Sequence, residues 1–346
     1  MFSNYNYNNK AERHTFIIND VDLGIVNAIR RIILSEIPIV GFYGEDEPTI
    51  DIKYNSGPLH NEFMIHRIGL IPLHITEEIT ENYEDGDYEF EFNIENKGNE
   101  TINITTNNFS GKYKGKELTK EELKIIFPAN KISKNYILIT RLRPNEHLHL
   151  IATAVKKTGK LNASFSPVSL SNFYFIEDTT EIKEEILERQ RNYIKNKYGD
   201  PISIEFQLEP INALSYKYLF KKSIEIIIEK LEILIEKLVN KEIPIEPVNS
   251  CNNSFNFQID NEDDTLGNLI QSILHNKYIR NNKKFREYDC TYIGYICPHP
   301  LINQLIIRFS LSTDDISVYE LFFIENCKEI IKIMEELKNE WIAFTK

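Results

Sequence analysis

The feature that most constrains this sequence is a long helical stretch that is apolar on too many sides to stand alone. Over 214–241, Ile224, Ile227, Leu231, Leu234 and Leu238 step by threes and fours, the spacing of a coiled-coil seam. Ile226, Ile228, Ile233 and Ile235 widen that face. Such a helix needs large partners on more than one side. A second one closes the chain. Over 318–344, Phe323, Cys327, Ile330, Met334, Leu337 and Trp341 repeat the alternating spacing. Neither segment belongs to a unit large enough to bury its seam well by itself. The sequence therefore predicts that the two seams pack against each other, as a pseudo-twofold pair within one chain.

The segments around these helices share a plan of strand, acidic turn, short helix, further strands and long helix. The turns read Asp22-Leu23-Gly24 and Thr265-Leu266-Gly267. With a two-residue gap after them, Asn27-Ala28-Ile29 aligns with Asn268-Leu269-Ile270. The expected fold class is α+β: two units of sheet plus long helix, the first interrupted by a mostly β insert. The first unit is expected at 1–44 plus 201–243, the insert at 45–200, a Pro- and Asn-containing linker at 244–253, and the second unit at 254–346. Alternation at Tyr88, Phe90, Phe92 and Ile94 marks the insert as strand-rich. Residues 1–13 read as a loose polar arm, 107–124 as surface loop, and 180–198 as a charge-laced helix.

Composition excludes several classes. Of the 346 residues 42% are hydrophobic, enough for more than one core, so wholesale disorder is ruled out. A net charge of −12 argues against a surface devoted to nucleic acid while leaving room for a local basic patch. No apolar run is long enough to span a bilayer, and residues 1–13 lack the apolar core of a secretory signal. The four cysteines, Cys251, Cys290, Cys297 and Cys327, show no C-x-x-C spacing. They form neither a disulfide framework nor a zinc ribbon, and a reducing intracellular compartment is expected.

Candidate chemistry is sparse. Arg30 and Arg31 stand together on a helix otherwise rich in isoleucine, and arginine suits protein interfaces through its planar, weakly hydrated fork. Glu62 and His66 fall one helical turn apart and could pair, with Arg67 beside them. His147 and His149 share one face of a strand and would be a metal site only with a third ligand. The run Glu262-Asp263-Asp264-Thr265 before a helix suits capping and the helix dipole, with a hard-cation site as the sharper alternative. Cys290, Cys297 and His299 fit no common zinc spacing, and Pro298 and Pro300 point to a structural turn. There is no phosphate-binding glycine loop and no nucleophile elbow.

Two segments carry a resemblance. Val21-Asp-Leu-Gly-Ile-Val-Asn-Ala-Ile-Arg-Arg, continuing to Pro38, with Asn61-Glu-Phe-Met-Ile-His-Arg-Ile-Gly-Leu-Ile-Pro-Leu73, resembles the α-like third-largest subunit of RNA polymerase II and its archaeal equivalent. Asn261-Glu-Asp-Asp-Thr-Leu-Gly-Asn-Leu-Ile270, with Tyr295-Ile-Cys-Pro-His-Pro-Leu301, resembles the small partner of that subunit in eukaryotes and archaea. On the second motif the matching positions are Glu262, Asp263, Thr265, Leu266, Gly267, Asn268, His299 and Pro300; Asn27 matches in the first. The resemblance implies a natural fusion of two subunits, as in large DNA viruses, and so a host-cytoplasmic and virion setting.

It further implies a non-catalytic assembly subunit of a multisubunit DNA-directed RNA polymerase. Arg30, Arg31, Glu62, His66 and Arg67 would face the largest and second-largest subunits. Small zinc-binding subunits are further partners, and DNA is met only through the complex. No cofactor is implied. The cysteine cluster that some relatives carry in the insert has no counterpart here, since residues 44–200 contain no cysteine. Asp264 stands where the small partner usually has His. Two other classes stay open at this point: an enzyme centred on His147 and His149, and a stand-alone nucleic-acid binder.

Overall fold

The computed structural model describes residues 1–180, 192–211, 213–248, 251, 253–299 and 301–346. In chain order the first elements are β1 (Phe2–Asn8), β2 (Arg13–Asn19), α1 (Leu23–Ser35), β3 (Ile39–Gly41), β4 (Ile50–Asn55), α2 (Asn61–Gly69) and α3 (Glu77–Glu81). There follow β5 (Tyr88–Glu95), β6 (Ile102–Thr105), β7 (Ser110–Tyr113), β8 (Lys116–Glu117), α4 (Lys120–Ile126), β9 (Leu138–Leu142), β10 (His147–Thr153), β11 (Val155–Lys157), β12 (Val168–Phe175) and β13 (Ser203–Pro210). The long helix α5 (Tyr216–Val239) leads to β14 (Ile245–Pro247), β15 (Ser254–Asp260), α6 (Asp264–Leu274), β16 (Cys290–Ile296), β17 (Gln304–Leu311) and α7 (Ile316–Phe344).

The chain divides into two compact units. One comprises Met1–Ile33, Leu170–Glu209 and Leu219–Lys346; the other comprises Leu34–Ser169 and Pro210–Tyr218. The architecture is α+β. The first unit contains two sheet-plus-long-helix assemblies. One has strand order β1-β2-β13-β12 with α5, and the other β14-β15-β17-β16 with α7. The second unit is built on a five-stranded sheet, β4-β10-β5-β7-β8. Its core holds Phe42, Phe90, Phe92, Phe109, Leu148 and Leu150, all buried. The alternation read at Tyr88, Phe90 and Phe92 is the inward face of β5.

Every seam residue of α5 and α7 is buried. Part of each seam covers the helix's own sheet. Phe220 lies on Phe16 of β2 and Phe206 of β13, with ring centroids 5.4 and 5.7 Å away. Phe323 lies in the same way on Phe257 of β15 and Phe309 of β17, at 5.1 and 5.0 Å. The far end of α7 then reaches the first assembly, with Trp341 4.3 Å from Phe220 and 4.7 Å from Phe16.

Three expectations need correction. Residues 1–13 are not a loose arm, because Phe2–Asn8 is the edge strand paired antiparallel to β2. Its Asn/Tyr-rich composition hides one apolar anchor. The Phe2 ring packs between Phe220 at 5.6 Å and Trp341 at 5.1 Å. The stretch 107–124 contains β7, β8 and the start of α4, whose Thr119–Glu122 capping box supplies the local signal. The helix expected over 180–198 lies mostly outside the described residues. Its described end forms isolated bridges, Glu177–Tyr193 and Lys195–Pro201, because Gly199 and Pro201 favour a turn there.

His14 gives the β1–β2 hairpin a pH dependence. Its ring lies 4.6 Å from that of Tyr7, and its Nδ1 is 3.0 Å from the Tyr5 hydroxyl. Burial lowers its pKa, so folding favours the neutral ring. The stability gained this way is complete above the ordinary histidine value of about 6.5. It is lost as pH falls through the lowered folded value. Urea unfolding midpoints should therefore fall as pH is lowered from about 6.5 to the lowered folded value and level off below it, and His14→Gln should flatten the fall.

Candidate functional site

The most informative geometry is where the two acidic turns meet the two short helices, inside the first unit. Asp20 and Asn261 both adopt left-handed backbone, at φ 57° and 66°. Such residues turn the chain sharply out of a strand. Two residues later comes a capping carboxylate in each turn. Asp22 accepts the Gly24 N–H at 2.8 Å, and Asp263, the N-cap of α6, accepts the Thr265 N–H at 2.8 Å. These matched caps align the two motifs without a gap. Asp22 corresponds to Asp263, Gly24 to Thr265, Asn27 to Asn268 and Arg31 to Ser272. The gapped alignment suggested by the two Leu-Gly pairs is corrected, because the cap and not the glycine marks the equivalent position.

With that alignment the contacts become reciprocal. Arg31 of α1 donates from Nε to the Thr265 hydroxyl at 2.8 Å. Ser272 of α6 sits against Gly24, where an added Cβ would come within 2.8 Å of the Ser272 Cβ. The Ser272 hydroxyl donates to Asp22 Oδ1 at 2.7 Å, and Asn276 donates to Asp22 Oδ2 at 2.5 Å. Residue i of one assembly thus meets residue j of the other, and the counterpart of j meets the counterpart of i. Asn27 and Asn268 line one polar cleft of about 750 Å³ together with Asp22, Asp200 and Ser272.

Ion pairs cross between the same two assemblies. Lys230 of α5 meets Glu262 at 2.9 Å, both largely buried, and Lys338 of α7 lies 3.9 Å from Glu225 of α5. Arg280 pairs with Asp200. The acidic run before α6 is thereby accounted for. Glu262 pairs with lysine, Asp263 caps the helix, and Asp264 accepts the Cys297 thiol proton at 3.5 Å. Burial, with Asp264 beside it, pushes that thiol up to about 11. Burial pushes Cys290 up to about 12, so neither sulfur is a ready thiolate.

The remaining candidates separate. Arg30 donates to Asn27 at 3.0 Å, and burial followed by the charge of Arg31 lowers its pKa. Glu62, His66 and Arg67 are exposed on α2 in the second unit. The pair expected between Glu62 and His66 does not form, and Arg67 instead donates to the carbonyls of Ile139 and Leu138 at 2.9 and 2.8 Å. Phe63, 65% exposed, and Leu70, 71% exposed, flank them. Sequence reasoning missed both, although 63, 66, 67 and 70 repeat at the spacing of one helical face.

His147 is held by Asn93 at 2.6 Å and His149 by Glu91 at 2.8 Å, one pair each on β5. Among the described residues, no group of three or more His, Cys, Asp or Glu side chains could hold a metal ion. His299 Nδ1 accepts the Leu301 N–H at 3.1 Å, closing a local turn. Pro300 lies outside the described residues. Among the described residues, no helix is long and apolar enough to cross a membrane.

The close approach at Gly24 is testable. A methyl group there meets Ser272 and the Asp22 carboxylate, whose Oδ1 would be 2.9 Å away. Gly24→Ala should lower the stability of the first unit by about 1–3 kcal/mol. Adding Ser272→Gly should recover part of that loss in denaturant titrations.

Comparison with known proteins accounts for this geometry. The family model of the RNA polymerase Rpb3/Rpb11 dimerisation domain matches residues 15–231, and a second model of the same description matches residues 254–340. Subunit 3 of DNA-directed RNA polymerases II, IV and V of Arabidopsis thaliana is 28% identical over 183 residues, covering 49% of this chain and 55% of that protein. Human RPAC1, of RNA polymerases I and III, is 28% identical over 184 residues, with 46% and 50% covered. The RNA polymerase II subunit rpb3 of Dictyostelium discoideum is 24% identical over 176 residues, with 48% and 55% covered. The chain spans about half the length of these curated relatives. With one match on each sheet-plus-helix assembly, the chain belongs to the RNA polymerase Rpb3/Rpb11 dimerisation-domain family and carries two such domains.

Proposed function

We propose that the chain is a non-catalytic assembly subunit of a multisubunit DNA-directed RNA polymerase, in which two dimerisation domains pair with each other inside one polypeptide. The observation that carries this reading is the reciprocal contact set, Arg31 with Thr265 and Ser272 with Asp22 and Gly24. A dimerisation domain on a separate chain would have to find its partner by diffusion. Here the short connection from α5 to β14 keeps the partner close, and the raised effective concentration makes pairing independent of dilution. The chain is then a fusion of third-subunit-like and small-partner-like halves. An origin in a large DNA virus, acting in the host cytoplasm, agrees with its Ile-, Asn- and Lys-rich composition.

The paired domains would act as a rigid platform for the largest and second-largest subunits, with small zinc-binding subunits as further partners. Arg30 and Arg31 supply one part of the docking face. In the second unit the exposed face of α2 is a docking surface in its own right: Phe63 and Leu70 are apolar anchors beside His66 and Arg67, the mixture that dominates protein interfaces. Contact with DNA is indirect, through the assembled enzyme. An enzyme centred on His147 and His149 gains no support, because each ring is held by its own β5 partner and, among the described residues, no third ligand joins them.

Co-expression with the two large subunits from the same source tests the reading. The tagged chain should recover both. Arg30→Ala, which leaves the Arg31–Thr265 contact of the joint in place, or Phe63→Ala with Leu70→Ala, should reduce recovery while the far-ultraviolet circular dichroism stays unchanged. No recovery of either large subunit by well-folded, unmodified protein overturns the proposal.

A further inference from the structure

The two ends of the joint between the domains are not alike. The matched caps make Val21 the counterpart of Glu262. The matched packing of Phe220 and Phe323 on their own sheets makes Ile333 of α7 the counterpart of Lys230 of α5. At one end stands the Lys230–Glu262 ion pair, 2.9 Å long, with each side chain only 17% exposed. At the other end Val21 and Ile333 both line a small cavity of about 210 Å³, with Ile25, Ile273 and Leu337 among its apolar walls and Asp20, Asp22, Asn276 and Glu336 also lining it. A symmetric framework therefore carries an ion pair at one end, while the equivalent positions at the other end, Val21 and Ile333, are both aliphatic.

From this asymmetry we infer that Lys230–Glu262 and Val21–Ile333 are the specificity determinants that make the two domains choose each other over a second copy of themselves. The inference rests on the pairing proposed above. Pairing of two second domains would set Ile333 against Glu262 at both ends of the joint. Pairing of two first domains would set Lys230 against Val21 at both ends. Either arrangement leaves a largely buried charge opposite an aliphatic side chain. Removing one partner of such a pair costs far more than replacing both by apolar groups of similar size. Only unlike pairing matches charge with charge and hydrocarbon with hydrocarbon. This is discrimination by penalty on the wrong partner. It matters during synthesis, when first domains on neighbouring ribosomes are exposed before their own second domains exist.

The test uses the full chain with a protease site placed between Asn240 and Pro244, in the connection from α5 to β14, and cut after folding. Native mass spectrometry across a dilution series then reports how tightly the two pieces hold. Lys230→Ile copies the contact of two second domains, and Glu262→Val copies that of two first domains. Each alone should weaken pairing by about tenfold or more. Together they reproduce the apolar contact of the other end, and pairing should return to within about threefold of the unmodified protein, the non-additivity expected of residues in contact. Circular dichroism of the uncut variants separates lost pairing from lost folding. Single variants that pair as tightly as the unmodified protein overturn the inference, as does a double variant no tighter than the weaker single. If the unmodified pieces separate readily, the intramolecular pairing itself falls, and the specificity argument falls with it.

Discussion

The first unit depends on two sharp exits from strands. After β2 the chain turns at Asp20, after β15 at Asn261, both in left-handed backbone. Short polar side chains tolerate that conformation better than others do. Each turn delivers a carboxylate to cap the following helix, so α1 and α6 start at fixed distances and angles from their sheets. Capping satisfies amide groups that a buried helix start would otherwise leave unpaired. It also decides which residues of α1 and α6 confront each other. A shift of one residue in either turn would rotate the helix face by about 100° and take Arg31 away from Thr265.

The long helices then follow from area. Each domain offers one sheet, and one sheet buries only one stripe of a helix. α5 and α7 carry wider faces, and the excess is covered across the joint, where Trp341 of α7 lies among Phe16, Phe220 and Phe2. The β1 strand contributes to this through Phe2, whose ring also stacks on Phe344 at 5.8 Å. Aromatic clusters of this sort combine large buried area with preferred edge-to-face geometry. The aromatic cluster supplies adhesion; the polar contacts at α1 and α6 supply registry.

Periodicity made the helices and the β insert legible in the sequence, because burial on one face leaves a spacing that survives any choice of particular residues. Seam positions such as Ile224 and Met334 are of this kind, and all are buried. Three things were not legible. The β1 strand was hidden because its residues are mostly exposed, and its half-buried Phe2 packs on aromatic rings far along the chain. The equivalence of the two turns was obscured by a shared Leu-Gly, which falls one residue after the cap in the first turn and three after it in the second. The pairing of Lys230 with Glu262 could not be seen, because in a helix pattern a lysine beside the seam reads as solvent-facing. The two are 32 residues apart in sequence and meet only through the joint. Likewise, α2 suggested an internal Glu62–His66 pair, whereas Arg67 directs its donors to the carbonyls of β9.

The asymmetry of the joint bears on why a platform of two related domains should be unlike at all. A symmetric pair presents the same face twice, so in the proposed role as a platform two different partners would compete for equivalent sites. Unlike domains remove that degeneracy. Arg30 and Arg31 on α1 have only Gln271 and Ser272 as counterparts on α6, and the β-rich unit interrupts the first domain alone. Surface differences of this kind are useful only if the two domains always occur one of each. A covalent linker enforces that ratio but does not prevent domains of neighbouring chains from pairing wrongly. In the proposed discrimination, the half-buried Lys230–Glu262 pair at one end, with aliphatic Val21 and Ile333 at the equivalent positions of the other, adds the missing constraint.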